Sequence, residues 1–266
     1  MIALALVSVL ALPAAPFGMD DDEPGPSKEK VRAAVERLEE AFDAEKPDET
    51  VSGIQNAMTV AAPEVVAVLE KRGLAHEQLD VVRASIEALG LLDHEDALEV
   101  LTKFHKKERK ELGERERQEL NVPLLQAIAR HGDEDSIPLL VEDMFRSPQK
   151  AIVQARILGL AQIRSRESVV ELMSVMRKID RKKIQGQMNN FRLAFIVLTG
   201  VDHGTSQDRW TAWWNDNKKT FTVAEAAPRM PEDLQNRWNR YWGLQRQYDR
   251  QKRRGDRGDD DDRDGL

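Results

Sequence analysis

Apolar residues along the chain fall into a recurring frame. Ile54, Ala57, Val66 and Leu69 reappear as Ile86, Leu89, Leu98 and Leu101, then as Leu125, Ile128, Ile137 and Leu140, then as Ile157, Leu160, Val169 and Leu172, at offsets of 32, 39 and 32 residues. The spacing of three inside each pair is helical, and turn or capping signals separate the pairs: Ala62-Pro63, Asp93 to Asp96, Gly132 to Asp135, and Arg164-Ser165. Each unit therefore predicts a helical hairpin. Arg72-Gly73 closes the first unit, and Ser147-Pro148 reads as an N-cap followed by a first helical proline before the fourth. The longer middle offset places its extra residues in the charged stretch from Lys106 to Arg117. A lone hairpin cannot bury its apolar stripe, so successive hairpins must share one continuous core.

Two of these units carry a fuller pattern. One runs Val82-Arg83-Ala84-Ser85-Ile86-Glu87-Ala88-Leu89-Gly90 and then Asp96-Ala97-Leu98-Glu99-Val100-Leu101; another runs Gln154-Ala155-Arg156-Ile157-Leu158-Gly159-Leu160-Ala161 and then Ser168-Val169-Val170-Glu171-Leu172. Both resemble the HEAT-repeat family in a short-period form. The resemblance covers about residues 49 to 180 and reaches weakly towards 220. It implies an all-α fold, an α-solenoid of stacked hairpins, used as a non-catalytic protein-binding scaffold. The main catalytic exception in that family is a phycobilin-lyase-like group, which would carry a coloured ligand.

The ends differ from the middle. Residues 1–18 open with the uncharged apolar run Ile2 to Leu12 and continue through Pro13-Ala14-Ala15-Pro16-Phe17-Gly18, the order of a signal peptide core and its cleavage region. That run is too short to span a bilayer, which needs roughly 20 apolar residues, and no later stretch is longer. Export to the periplasm or medium is the expectation, with no transmembrane segment in the mature chain. Residues 19–27 form an acidic linker, and residues 28–48 a capping helix with Val31, Val35, Leu38 and Phe42 on one face. The array is expected over 49–200, a Trp-rich degenerate repeat or cap over 201–228, a basic aromatic amphipathic helix over 229–254, and a disordered acidic tail over 255–266.

All five Trp and both Tyr lie at or beyond residue 210. Thr205 and Asp208 suggest a capping box ahead of Trp210, Trp213 and Trp214. These rings can serve as a buried terminal cap or as a partner-binding anchor. In the following helix Leu234, Trp238, Tyr241, Trp242, Gln245 and Tyr248 line one side, and residues 229–254 hold eight basic and three acidic residues. Trp238, Tyr241 and Trp242 are the aromatic candidates for binding a partner.

Charge adds a second candidate surface. Predicted B-helix ends carry Lys71, Arg72, Lys103, Lys106, Lys107, Lys110, Arg146, Lys150, Arg177, Lys178, Arg181, Lys182 and Lys183, while turns carry Asp93, Glu95, Asp96, Asp133, Glu134 and Asp135. Only the turn Arg164 to Arg166 breaks the trend. Helix dipoles explain such a bias at about 0.3–1 kcal/mol per charge; a basic ridge that binds an acidic protein or an anionic envelope polymer is the alternative. Lys106, Lys107, Lys110, Arg181, Lys182 and Lys183 are the basic candidates.

The composition narrows the chemistry. The 266 residues balance 40 Lys and Arg against 47 Asp and Glu, so nucleic acid is a partner only if the chain stays inside the cell. With no Cys, disulfides, thiolate zinc sites and cysteine nucleophiles are excluded. His94 and His131 sit in neighbouring acidic turns and could bridge a cation, but no H-E-x-x-H motif supports a metal site. No nucleophile elbow, P-loop or dinucleotide fingerprint occurs, so no cofactor and no enzyme activity are expected.

Overall fold

The computed structural model describes residues 25–44, 46–107, 112–179 and 184–244. The signal peptide, most of the acidic linker, the end of the basic helix and the acidic tail lie outside the described residues. Among the described residues the fold is all-helical, with no strand. The helices are α1 (Lys28–Phe42), α2 (Pro47–Ala57), α3 (Pro63–Val68), α4 (Leu79–Leu89), α5 (Glu95–Lys106), α6 (Glu114–Arg130), α7 (Ile137–Val141), α8 (Lys150–Gln162), α9 (Arg166–Lys178), α10 (Met188–Thr199), α11 (Gln207–Asn217) and α12 (Glu232–Trp242). A π turn, Leu69–Gly73, extends α3, and a 3-10 turn, Glu134–Ser136, precedes α7.

Contacts order the helices into two rows. In the first, α2, α4, α6, α8 and α10 each pack on the next; in the second, α3 meets α5, α7 meets α9, and α9 meets α11. Helix α1 closes one end by packing on both α2 and α3. The repeating apolar positions form the shared core: Ile54, Val66, Leu69, Ile86, Leu89, Leu101, Leu125, Ile128, Leu140, Ile157, Leu160, Val169 and Leu172 are all buried. Leu98 is the position left half-buried. Helices α8 and α10 go further, since Ile152, Val153, Ala155 and Ile157 to Ala161 are buried, as are Leu193 to Leu198. A helix apolar on every side needs cover on every side.

Several local boundaries shift from the sequence reading. Ser206, not Thr205, caps α11 by accepting from the Arg209 N–H at 3.3 Å. Helix α8 starts at Lys150, two residues beyond the expected proline, because Ser147 Oγ instead accepts from the Gln149 N–H at 3.2 Å and closes a turn. The extra residues of the middle unit lengthen α6, which has 17 residues against 11 in α4 and 13 in α8. Its overhanging first turn is fastened by Glu116, which accepts from the Gly113 N–H at 2.7 Å, and by an Arg117–Glu114 pair.

Helix α7 is cut to five residues by a neighbour. Arg156 on α8 donates through Nη1 to the carbonyls of Leu139, Leu140 and Glu142 at 2.8, 3.1 and 2.6 Å, satisfying the end that a longer helix would satisfy itself. The chain then turns through Asp143 at φ 52°, a left-handed conformation uncommon outside glycine, and Asp143 holds Arg146 at 2.9 Å. Met144 drops into the core behind this turn.

Candidate partner-binding surfaces

The aromatic C-terminal region is a strap folded back on the first row. Leaving α11, the chain passes Phe221 and Val223, both packed on the core, and Pro228 lies against Gly200 at the end of α10. Helix α12 then lies on the array with Leu234, Trp238 and Trp242 inward, at 5%, 8% and 4% exposure. Arg237 bonds the Asn190 side chain on α10, while Gln126 and Arg130 on α6 donate to the carbonyls of Tyr241 and Trp242, each at 3.3 Å. The strap thus bridges the two helices that flank α8. Trp238, Tyr241 and Trp242 are the aromatic binding candidates of the sequence, for which a buried cap is the other reading; Trp238 and Trp242 are buried and Tyr241 packs half-buried against the core. Tyr241 is half-buried, and desolvation raises its pKa.

The residues that hold the strap were not singled out from sequence. Arg164 donates to the carbonyls of Val197, Ala224 and Ala226 at 2.8, 2.6 and 3.0 Å, and Arg166 to that of Lys218 at 2.8 Å while stacking over Trp214. Burial lowers the pKa of Arg164, but a guanidinium keeps its charge. One signal did exist: this turn carries arginines where the preceding turns carry carboxylates. Main-chain carbonyls of the strap are the acceptors that the anomaly serves.

The basic ridge is partly neutralised. Arg72 pairs with Asp43 at 2.7 Å and stacks over Phe42, Lys103 reaches Glu70 at 2.7 Å, and Arg146 is held by Asp143. Lys106 and Lys107 are exposed at the end of α5. Lys110, Arg181, Lys182 and Lys183 lie outside the described residues.

Two grooves open on the second row, either side of the short α7. One, of about 410 Å³, runs between α5 and α7 past Thr102, His105, Lys106, Pro138 and Leu139. The other, of about 390 Å³, lies between α7 and α9 beside Val141, Phe145, Arg146, Ser174 and Lys178. Each combines an apolar floor with charges of both signs, the Lys106 groove through Asp135 and Glu142 and the Lys178 groove through Asp143 and Glu171. Wider grooves flank α1, but Pro26 or Ser27 lines each, where the preceding chain joins the fold.

The two turn histidines are committed to the backbone. His94 Nδ1 accepts from the Asp96 N–H at 3.2 Å and caps α5; His131 Nε2 lies 3.1 Å from the Leu89 carbonyl and so donates to it. Among the described residues no group of three His, Asp or Glu side chains is placed to hold a metal ion. Burial lowers the His131 pKa, outweighing the Leu89 bond and the carboxylates of Asp93 and Asp133. The unfolded chain, with an imidazole near pH 6.5, then binds the proton more readily. Stability is expected to fall as pH drops through about 6.5 towards the lower folded value. Thermal melts between pH 7 and 5 check this: His131→Gln should flatten the pH dependence, and an unchanged slope would remove His131 as its source.

Among the described residues no helix is long and apolar enough to cross a membrane. Compared with known protein families and with curated proteins, the chain matches no family model and no characterised sequence.

Proposed function

We propose that the chain is an exported, non-catalytic α-solenoid of the HEAT-like kind that binds another protein through its second helix row. The pair of grooves beside α7 carries this reading. They are adjacent, they share the shortened helix, and each offers apolar contact with charges at its rim, the anatomy of a peptide or protein contact rather than of a polymer track. The row order of contacts supports a solenoid, in which such a row forms an extended face. Export rests on the apolar run Ile2 to Leu12 and the small residues after it. An anionic polymer would need the ridge cations, and Arg72, Lys103 and Arg146 already face carboxylates.

Site-specific photocrosslinking tests the reading. A photoreactive residue at Thr102 or at Ser174, one in each groove, is expected to yield an adduct of the same partner, whereas the exposed Ser52 on α2 yields none. Equal labelling from Ser52, or none from either groove, would remove the second row as the binding face.

A further inference from the structure

The two ends of α12 are seated differently. At α10 the contact is satisfied: Arg237 bonds Asn190 Oδ1, and the Asn190 amide donates to Gln187 Oε1. At α6 it is not. Trp242 Nε1 is buried with no hydrogen-bond partner, and Tyr241 Oη, also buried, has none in good geometry, although the Gln126 side chain lies close enough to offset part of the desolvation of the phenol. The Arg130 guanidinium lies 5.8 Å from the centre of the Trp242 ring and reaches only the Trp242 carbonyl, at 3.3 Å. Gln126 gives its amide to the Tyr241 carbonyl at the same length. A phenol, an indole N–H and a half-buried cation therefore crowd the last turn of α12; the Glu87 carboxylate favours the charged form of Arg130 from a distance, but among the described residues no carboxylate is in ion-pair contact with it.

Buried donors without acceptors forfeit hydrogen bonds that water would supply on release. A half-buried cation with only a long carbonyl bond is in a similar position. The α6 end of the strap is thus the weak end, and what it lacks is an anionic acceptor. The apolar part of the seat must still be filled, because Trp238 and Trp242, 5.6 Å apart, cover the array there. A free anion would leave that surface bare, whereas a helix with aromatics four residues apart would refill it.

We propose that the seat of α12 on α6 is a helix-binding site, occupied in cis by α12 and open to an amphipathic aromatic helix that bears a carboxylate opposite Arg130. The site recognises main-chain carbonyls through Gln126 and Arg130, apolar rings through the first row, and charge through Arg130. It lies on the opposite row from the α7 grooves, so either surface can fail its test alone.

Peptides test the site with the full chain. Labelled peptides of residues 231–244 carrying Tyr241→Glu or Tyr241→Gln differ only in the charge offered to Arg130. The Glu peptide is expected to bind at least about tenfold more tightly, the 1.4 kcal/mol equivalent of one charge-assisted bond. Hydrogen exchange of the α12 amides should rise when it binds. In Arg130→Gln protein the two peptides should bind alike. Equal affinity of the two peptides for the unaltered chain overturns the proposal, as does binding that leaves α12 exchange unchanged, or no binding at millimolar peptide. The comparison on the unaltered chain decides the matter even if the Arg130 variant fails to fold.

Discussion

Trp210→Ala is expected to lower the unfolding free energy by about 4 kcal/mol, within the range for removing a buried aromatic. The indole is completely buried. It stacks on Phe195 with ring centres 4.6 Å apart, meets His203 edge-on at 4.8 Å and Trp213 at 5.9 Å. Its Nε1 donates to the Gly204 carbonyl at 2.9 Å, which ties α11 to the loop that follows α10. Deletion leaves a cavity between α10 and α11, loses the aromatic contacts and strands that carbonyl. Trp210→Phe should recover part of the loss by filling the cavity, but not the hydrogen bond. Urea denaturation followed by helical circular dichroism measures both. A loss below about 1.5 kcal/mol would mean that the indole is not packed as a core residue.

Gly90→Ala, at the C-cap of α4, is expected to cost about 3 kcal/mol by overpacking. The backbone at Gly90 is ordinary, with φ −72°, so the dihedral does not require glycine. Space does. A Cβ there would lie 2.5 Å from Ala127 Cα and 2.6 Å from Ala127 Cβ, and the first of these is backbone that cannot step aside. Helices α4 and α6 would have to separate, which weakens the first row at its middle. Ala127→Gly in the same chain removes the Cβ clash and leaves the Cα clash, so it should restore less than half of the loss. An unchanged midpoint for Gly90→Ala in the same denaturation would show that the two helices are not in contact at this point.

The repeating core was legible because burial, period and residue type say the same thing: Ile86, Ile128 and Ile157 are apolar, helically spaced and fully buried. Gly90 was legible only as the end of a helix, because a close approach from α6 leaves no mark on its neighbours in sequence. The shortening of α7 was hidden for a similar reason. Its cause is the Arg156 guanidinium taking three carbonyls, and carbonyls carry no sequence. The aromatic face of α12 was visible, but amphipathicity gives a face and not its destination. Trp238 and Trp242 fit an exposed anchor or a buried strap until α6 and α10, to which α12 is bonded, are placed beside them. The arginine turn at 164 to 166 was the available clue, and it needed the strap to give it meaning.

Lys103 and Glu70, which join neighbouring helices of one row, are 33 residues apart, whereas Gln126 and Tyr241 are 115 residues apart. Closing the longer loop costs about 1 kcal/mol more in chain entropy. It also cannot begin until α12 itself has been made. The earlier helices can pack one after another as the chain grows, but the parts of α6 and α10 that bond α12 must wait for an element translated after them. Newly made chains therefore pass through an interval in which the Gln126, Arg130 and Asn190 side chains face solvent without α12.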